Sequence, residues 1–567
     1  MNNKSRIADS SEYRKKRADV ELTQDHQLPS SPQENIGDSY MFNFFKTEEL
    51  PPYKVLLVKT AIKHPINDED FGVPIGLYVL KDYLKTTGHN LEVDIWDERL
   101  ALKECPREKY EEPKQNNILF ENELKKNYDA VGISMCTSEV PPAIEKFNIV
   151  RKKYPNIITF CGGIFTASNE KCLLDTGVID YVIPGIATKP LGDLLVKLYN
   201  ETKKEHDAGK INTTKNIDVY GVAHFKNRND FKSVWTCSQL PTMQLSAWTE
   251  IDKKYKKHLN EKIGIYTARG CDKGCLFCSV QRESKRTIFR KSEDCVINEI
   301  IFLTQMGYTY FSIKDEDFSL DDVRMKNILK EVSVLSDKKV QFKIRARYDN
   351  AQELIAKDKN LLKELKNLGV DEIQYGIETF DKNIRDNVKK HYEDICGKDI
   401  DNKTAIVKFI KEHADNLIKA NCSFILGLRG ETISYYAELE QFFKEISTPH
   451  KDYLKIYLNY LTPHPYNSEF SLKTYRLINN DLNFFTHRYP VCYDNNMESP
   501  VRGKMLETHN EIAKIFQNTG GRDLNPVLEN GTLKTSFCNG INDREATETS
   551  KLNLLNYLKQ NTVKGGI

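Results

Sequence analysis

The chain has 567 residues, 39% hydrophobic and 29% charged, a balance that predicts a globular protein with two or three cores. Lys plus Arg exceed Asp plus Glu by only two, 83 against 81, so no net field recruits nucleic acid or an anionic membrane, and a small-molecule or peptide substrate is expected. No apolar run of about eighteen residues occurs, and the N-terminal MNNKSRIADSSEYRKKRADV lacks the apolar core of a signal peptide, which excludes a membrane span and predicts a cytoplasmic protein.

Residues 1–50 are polar and aperiodic and read as a disordered tail. From Tyr53 the pattern changes. YKVLLVKT, LEVDIWD, YDAVGISM, NIITFCGG and DYVIPG read as strands. Helical runs such as VPIGLYVLKDYLKTTGH and PPAIEKFNIVRKKYP separate them. Five strands alternating with helices over residues 51–200 predict an α/β, Rossmann-like parallel sheet whose ligands sit at the carboxyl ends of the strands. The loops at those ends are CTSEVPP and CGGIFTAS. In the second, Gly162 and Gly163 either admit a bulky ligand close to the backbone or form an ordinary turn. No GxGxxG follows the first strand, so a nicotinamide or flavin site has little support.

Residues 201–260 read as a linker with one hairpin, VYGVAHFKNRNDFKSVWT, turning around Asn227–Asp230. Over 261–470 strand and helix alternate again. EKIGIYTARGC, YTYFSIKDEDF, VQFKIRARYD, VDEIQYGIETF, NCSFILGLRGET and LKIYLNYLTPHP supply six strands with polar carboxyl ends, a full or partial TIM-type barrel whose catalytic face is that rim. Residues 471–567 hold one convincing amphipathic helix, GKMLETHNEIAKIFQ, and are expected to cap the substrate cleft.

Thirteen cysteines, an odd number in a large chain, fit reduced thiols and a metal site better than a disulfide framework. Ten are scattered singly and read as packing residues. The other three, Cys271, Cys275 and Cys278 in ARGCDKGCLFCS, have the spacing C-x3-C-x2-C. A structural zinc site wants four ligands, and the nearest other candidates, His258 and Cys295, lack paired spacing. Three thiolates on one tight loop suit a cubane [4Fe-4S] cluster with one iron left open. Gly270 and Gly274 let the loop wrap around it. Arg345 and Arg347 in IRARYD alternate with apolar residues and can share a face, where one clamps a carboxylate or both enter ion pairs. Asp315, Glu316 and Asp317 either polarise substrate or solvate a loop, and two of the three are expected to solvate the loop. His464, between two prolines, is placed for proton transfer or for a structural role.

The C-x3-C-x2-C loop with an aromatic residue, Phe277, before its last cysteine, at the end of a first barrel strand, resembles that of the radical S-adenosylmethionine (radical SAM) superfamily. The upstream VPIGLYVLKDYL, GISMCTSE, CGGIFTAS and IDYVIPG are similar to the cobalamin-binding domain of its B12-binding group. KDEDF, YGIET, GLRGET and LTPHP resemble that group's later barrel strands, so the likeness covers about residues 50–470. It implies that Cys271, Cys275 and Cys278 ligate the cluster, that the open iron chelates S-adenosylmethionine, and that Phe277 lies beside the adenine. Glu378 would bind the ribose or amino group, and Arg345 or Arg347 the carboxylate. Thr137, Ser138, Gly162, Gly163, Thr166 and Gly185 would line a cobalamin site.

The chain departs from that group in three places. Phe165 stands where a histidine usually follows the glycine pair, Ala187 and Thr188 replace acidic residues, and Arg429 replaces a proline. None of the twelve histidines has an aspartate two positions before it, so the implied cobalamin is base-off, with no histidine ligand. The implied activity is methyl transfer to an unactivated carbon of a small molecule or peptide through methylcobalamin and a 5'-deoxyadenosyl radical, with an electron donor such as flavodoxin or ferredoxin. The alternatives are a radical SAM cyclase or isomerase, with or without cobalamin, and a non-catalytic iron–sulfur protein.

Overall fold

The computed structural model describes most of residues 51–462, together with 475–477, 492–494, 497–515, 528–529 and 532–533; within the first stretch, 63–71, 105–114, 208–216, 228–241, 281–286, 391–401 and a few single or paired positions lie outside the description. His464 and the expected tail also lie outside the described residues.

The apolar run YKVLLVK becomes strand β1 (Tyr53–Lys59), buried on both faces at the centre of the first sheet. β2 (Leu91–Asp97) and β3 (Ala130–Ser134) flank it in parallel, Leu57 lying opposite Ile95 on one side and Gly132 on the other. β4 (Ile158–Gly162) and β5 (Tyr181–Ile183) extend the parallel sheet. Helices α1 (Ile75–Lys85), α2 (Glu98–Glu104), α3 (Gln115–Leu124), α4 (Val140–Lys153) and α5 (Thr188–Asp207) connect or follow these strands. The order β2-β1-β3-β4-β5 reverses direction between β1 and β3, a topological switch point of the doubly wound type.

The next strand comes from the stretch read as a linker. β6 (Ala223–His224), the first arm of the expected hairpin, pairs antiparallel with β5, Tyr181 opposite His224, and closes the sheet edge. The rest of the hairpin, 228–236, lies outside the described residues. The stretch read as a linker also holds helix α6 (Leu245–Leu259), whose Trp248, Ile251 and Tyr255 are buried at helical spacing.

The second sheet contains β7 (Lys262–Ile265), β10 (Tyr310–Ile313), β11 (Gln341–Arg347), β12 (Val370–Glu378), β13 (Lys419–Leu426) and β14 (Leu454–Tyr460), all parallel and neighbours in chain order. Between β7 and β10 lies a two-stranded ribbon of β8 (Ala268–Arg269) and β9 (Phe289–Arg290). Helices α7 (Glu293–Gln305), α8 (Val323–Leu335), α9 (Tyr348–Lys357), α10 (Leu361–Asn367), α11 (Lys382–Asn387), α12 (Asn402–Asp415) and α13 (Ile433–Ser447) cover one face. Their starts are set locally: Ser292, Asp322 and Asp381 each accept a first-turn amide proton at the caps of α7, α8 and α11. The result is a partial (β/α)6 barrel beside a Rossmann-like sheet, the α/β class the sequence predicts. Helix α14 (Ser499–Ile515) takes in the expected C-terminal amphipathic segment as far as Ile515 and packs on α13.

Alternation sorts the barrel strands by face. In β11, Phe342, Ile344 and Ala346 are buried under the helices, while Lys343, Arg345 and Arg347 share the opposite, half-buried face. Polar residues continue across it: Glu372 of β12 pairs with Lys343, and accepts from Asn421 of β13 and from the Tyr310 hydroxyl of β10 at 3.1 Å. Asn459 of β14 donates to Ser423 at 2.8 Å. This polar face is the inside of the partial barrel, and strand polarity carries it up to the carboxyl rim.

Candidate active site

The three cysteines lie at that rim, but not directly after β7. Two residues beyond β7 the chain enters the β8–β9 ribbon, with Ala268 opposite Arg290 and Arg269 opposite Phe289, so the cysteine loop is clamped at its base. Gly270 takes φ +98°, a left-handed turn that glycine adopts without a Cβ penalty. The Cys278 amide donates to the Cys275 carbonyl at 3.1 Å, and the Leu276 amide to the Val388 carbonyl at 3.0 Å. Cys275 is buried, and Cys271 and Cys278 are half-buried.

The loop after β10 holds this base, which corrects the expectation that two of its three acidic residues face solvent. Asp315 is buried and accepts from the Thr267 amide at 2.8 Å and from the Thr267 hydroxyl. Glu316 accepts from the Gly270 amide at 2.8 Å and pairs with Arg269 at 3.1 Å. Asp317 accepts from the Arg347 amide at 3.2 Å. Burial raises the Asp315 and Asp317 carboxyls above the ordinary range, against the hydrogen bonds that lower them.

The donor set fits a cluster. Three sulfurs come from one loop; of the two other candidates, Cys295 belongs to the first turn of α7 and His258 stands 3.6 Å from Glu104. Among the described residues no three His, Cys, Asp or Glu side chains converge on a single ion. A cubane spreads its thiolates over separate irons and needs no such focus. Burial pushes the Cys271 thiol up to about 11, with Asp317 and Cys278 adding to it and Arg347 opposing, so metal loading has to displace its proton.

Two other predicted residues meet beside the loop, joined by one that sequence reasoning missed. Glu378 ends β12 with φ +68°, next to a register shift between Gly376 and Glu378. Its carboxylate pairs at 2.9 Å with Lys390, which is 3% exposed and also donates to the Gly376 carbonyl at 2.6 Å. A Cβ on Gly376 would lie 2.5 Å from Glu378 Oε1, so a side chain there would displace the carboxylate from this position. Lys390 Nζ lies 5.8 Å from the Phe277 ring centroid. Nothing in KKHYED marks Lys390 from sequence; only its return to the end of β12 does.

Arg345 and Arg347 share the inner face as expected, with different surroundings. Arg347 forks onto Asp349, Nε at 3.0 Å and Nη2 at 2.6 Å, and Nη1 donates to Cys275 Sγ at 3.3 Å. The Arg345 side chain makes no hydrogen bond or ion pair among the described residues, and its carbonyl accepts from the Phe318 amide at 2.7 Å. Among the described residues the Arg345 guanidinium is therefore uncommitted.

In the first sheet, Thr137, Ser138, Gly162, Gly163, Thr166 and Gly185 gather at the carboxyl ends of β3, β4 and β5. Gly163 has φ +94°, and a Cβ there would lie 2.6 Å from the Met135 carbonyl oxygen, so internal packing alone accounts for it. Thr166 donates to the Gly163 carbonyl at 2.7 Å, and Phe165 is fully buried. At the switch point, Lys59 of β1 pairs with buried Glu139, which also accepts from the Cys136 amide at 2.9 Å. The neighbouring Thr60 hydroxyl is fully buried and has no hydrogen-bond partner among the described residues. That orphaned group at the carboxyl end of β1 fits a polar ligand there, which the glycine pair neither requires nor blocks.

Residues 265–443 match the family model of the Radical SAM superfamily. No curated protein matches the chain. Among solved structures, it is similar to the radical S-adenosylmethionine methyltransferase TsrM from Kitasatospora setae with cobalamin and a [4Fe-4S] cluster bound, at 16% identity over 73% of this chain and 76% of that one, TM-score 0.49. The cobalamin-dependent S-adenosylmethionine radical enzyme OxsB is similar at 18% identity over 75% of this chain and 55% of that one, TM-score 0.49. Coproporphyrinogen III oxidase (HemN) from Escherichia coli is similar at 14% identity over 45% and 52%, TM-score 0.29. No helix among the described residues is long and apolar enough to cross a membrane. The family match encloses the three-cysteine loop and most of the parallel arc behind it, and the chain therefore carries a radical SAM domain.

Proposed function

We propose that this protein is a cobalamin-dependent radical SAM methyltransferase acting on an unactivated carbon of a small molecule or peptide. The observation that carries the proposal is the three-cysteine loop, clamped by the β8–β9 ribbon at the rim of a six-stranded parallel arc, in a chain whose upstream sheet has a switch point at the carboxyl ends of β1 and β3. Cys271, Cys275 and Cys278 would hold the cluster, which when loaded supplies an electron to S-adenosylmethionine and thereby hydrogen abstraction. Phe277 offers a face for the adenine, Arg345 a guanidinium uncommitted among the described residues for the carboxylate, and Glu378, steadied by Lys390, an acceptor for the ribose or amino group. In the first sheet, Thr60, Thr137, Ser138 and the glycine pair would hold a base-off cobalamin, which supplies a methyl group to the substrate carbon. The protein's share is positioning and exclusion of water.

Packing accounts fully for Gly163, and Phe165 is buried where a histidine usually stands. Both favour a second reading, a radical SAM enzyme of another reaction type that dispenses with cobalamin. Anaerobic reconstitution with iron, sulfide, cobalamin, S-adenosylmethionine and a reductant, followed by product analysis, separates them. Methylated substrate with both S-adenosylhomocysteine and 5'-deoxyadenosine supports the first reading. 5'-Deoxyadenosine with no dependence on cobalamin supports the second, and neither product defeats both. A flavodoxin or ferredoxin is the class of donor to try in place of the chemical reductant.

A further inference from the structure

Arg347 reaches a cysteine of the loop through its side chain: its Nη1 donates to Cys275 Sγ at 3.3 Å. The rest of the guanidinium is already committed, Nε and Nη2 forking onto the two oxygens of Asp349 at 3.0 and 2.6 Å. Its backbone is fixed as well, since the amide donates to Asp317 at 3.2 Å at the end of β11. A planar group held by two bonds along one edge cannot rotate toward a ligand without breaking the fork. The guanidinium and the Asp349 carboxylate are both largely buried, so that break is costly.

We infer that Arg347 serves the iron–sulfur cluster, as a fixed charged hydrogen-bond donor to the sulfur of Cys275, and does not clamp the carboxylate of S-adenosylmethionine. The inference rests on the reading of Cys271, Cys275 and Cys278 as cluster ligands. Its sign follows from electrostatics. Reduction adds one negative charge to the cluster, and a cation bonded to a ligand sulfur stabilises the reduced form more than the oxidised one, which raises the reduction potential. Asp317 and Asp349 face the same site with the opposite sign. Removing the guanidinium strips Asp349 of its fork and takes away one of the charges that offset Asp317, so the lost hydrogen bond and the uncovered charges act in the same direction. Arg347 is thus a positioning and tuning residue, and its effect is present with no substrate bound.

The test compares full-length wild type, Arg347→Gln and Arg347→Lys, each reconstituted anaerobically, by iron and sulfide content, redox titration without S-adenosylmethionine, and equilibrium dialysis of S-adenosylmethionine. Arg347→Gln is expected to keep its cluster and its S-adenosylmethionine affinity, while its reduced-to-oxidised ratio at a fixed poise falls about tenfold, ~59 mV for one electron. Arg347→Lys keeps the charge but not the fork, and is expected to fall between the two. In protein labelled with 15N-arginine, pulsed EPR of the reduced cluster should show a nitrogen coupling that Arg347→Lys abolishes; this readout decides the matter if Arg347→Gln does not hold a cluster. An unchanged potential, or lost S-adenosylmethionine affinity at unchanged potential, overturns the inference. A wild type that takes up no cluster overturns the underlying reading, and is distinguished by the iron and sulfide content alone.

Discussion

At the scale of single residues, the site depends on a buried ion pair. Lys390 and Glu378 are both shielded from water, and Glu378 adopts a left-handed backbone that costs energy for any side chain with a Cβ. Lys390→Met strands the carboxylate, and a loss of about 3–5 kcal/mol in unfolding free energy is expected by urea titration. Adding Glu378→Gln to Lys390→Met removes the stranded charge and should recover part of that loss; a double variant no more stable than the single one would contradict the pairing. What was legible here follows sequence distance. Cys271, Cys275, Cys278 and Phe277 lie within eight positions, and their spacing is itself the signal. Lys390 stands 12 positions beyond its partner and 113 beyond Phe277, and no local pattern marks it. The acidic run at 315–317 misleads for a related reason: its partners are the amides of Thr267, Gly270 and Arg347, which the fold supplies and no pattern announces.

Elements were legible where one face is apolar. The alternation in β11 and β14 and the apolar run of β1 declare themselves, whereas β8 and β9 are two residues each and are formed by pairing rather than by propensity. β6 turns back onto β5 because an edge was open there, and a tandem hairpin is the natural reading of the same letters. Helix α12 shows how an element is pinned to its strand. His413 is fully buried, with one ring nitrogen 2.7 Å from the Tyr375 hydroxyl of β12 and the other 2.8 Å from the Phe409 carbonyl. Burial lowers its pKa to about 4. The folded value lies below the unfolded one, so this contribution to stability is whole above the unfolded pKa near 6.5 and is lost as pH falls toward 4. At pH 7.5, His413→Phe should cost about 1–3 kcal/mol by leaving the Tyr375 hydroxyl without its partner. Between pH 7.5 and 5 the gap to wild type should narrow by about 2 kcal/mol in paired denaturation curves. A gap that widens on acidification would show that His413 is charged in the folded protein.

At the scale of the whole molecule, helix α6 bolts one sheet to the other. Toward the first sheet, Tyr255 donates to Asp97 at 3.1 Å, Lys254 to the Ile95 carbonyl at 2.7 Å, and Lys81 of α1 pairs with Glu250 at 2.7 Å. Asp82 accepts from the Gln244 amide at 2.7 Å at the start of the helix. Toward the barrel, Trp248 donates to Glu299 at 3.0 Å and Tyr308 to Asp252 at 2.9 Å. Glu299 in turn holds Lys291 at 2.8 Å, next to the ribbon that clamps the cysteine loop, where the Lys291 amide donates to the Thr267 carbonyl. The proposed chemistry, in which two cofactors meet, would require such a spacer, since small errors in placement cost rate steeply. Trp248→Ala removes the largest of these anchors and should cost about 3–5 kcal/mol. If α6 couples the sheets, hydrogen exchange in the variant should show amide protection falling in β1 and β2 as well as in β7 and β10. Protection lost in β7 and β10 alone would mean that each sheet is stable on its own side of α6, and that the geometry between them is set elsewhere.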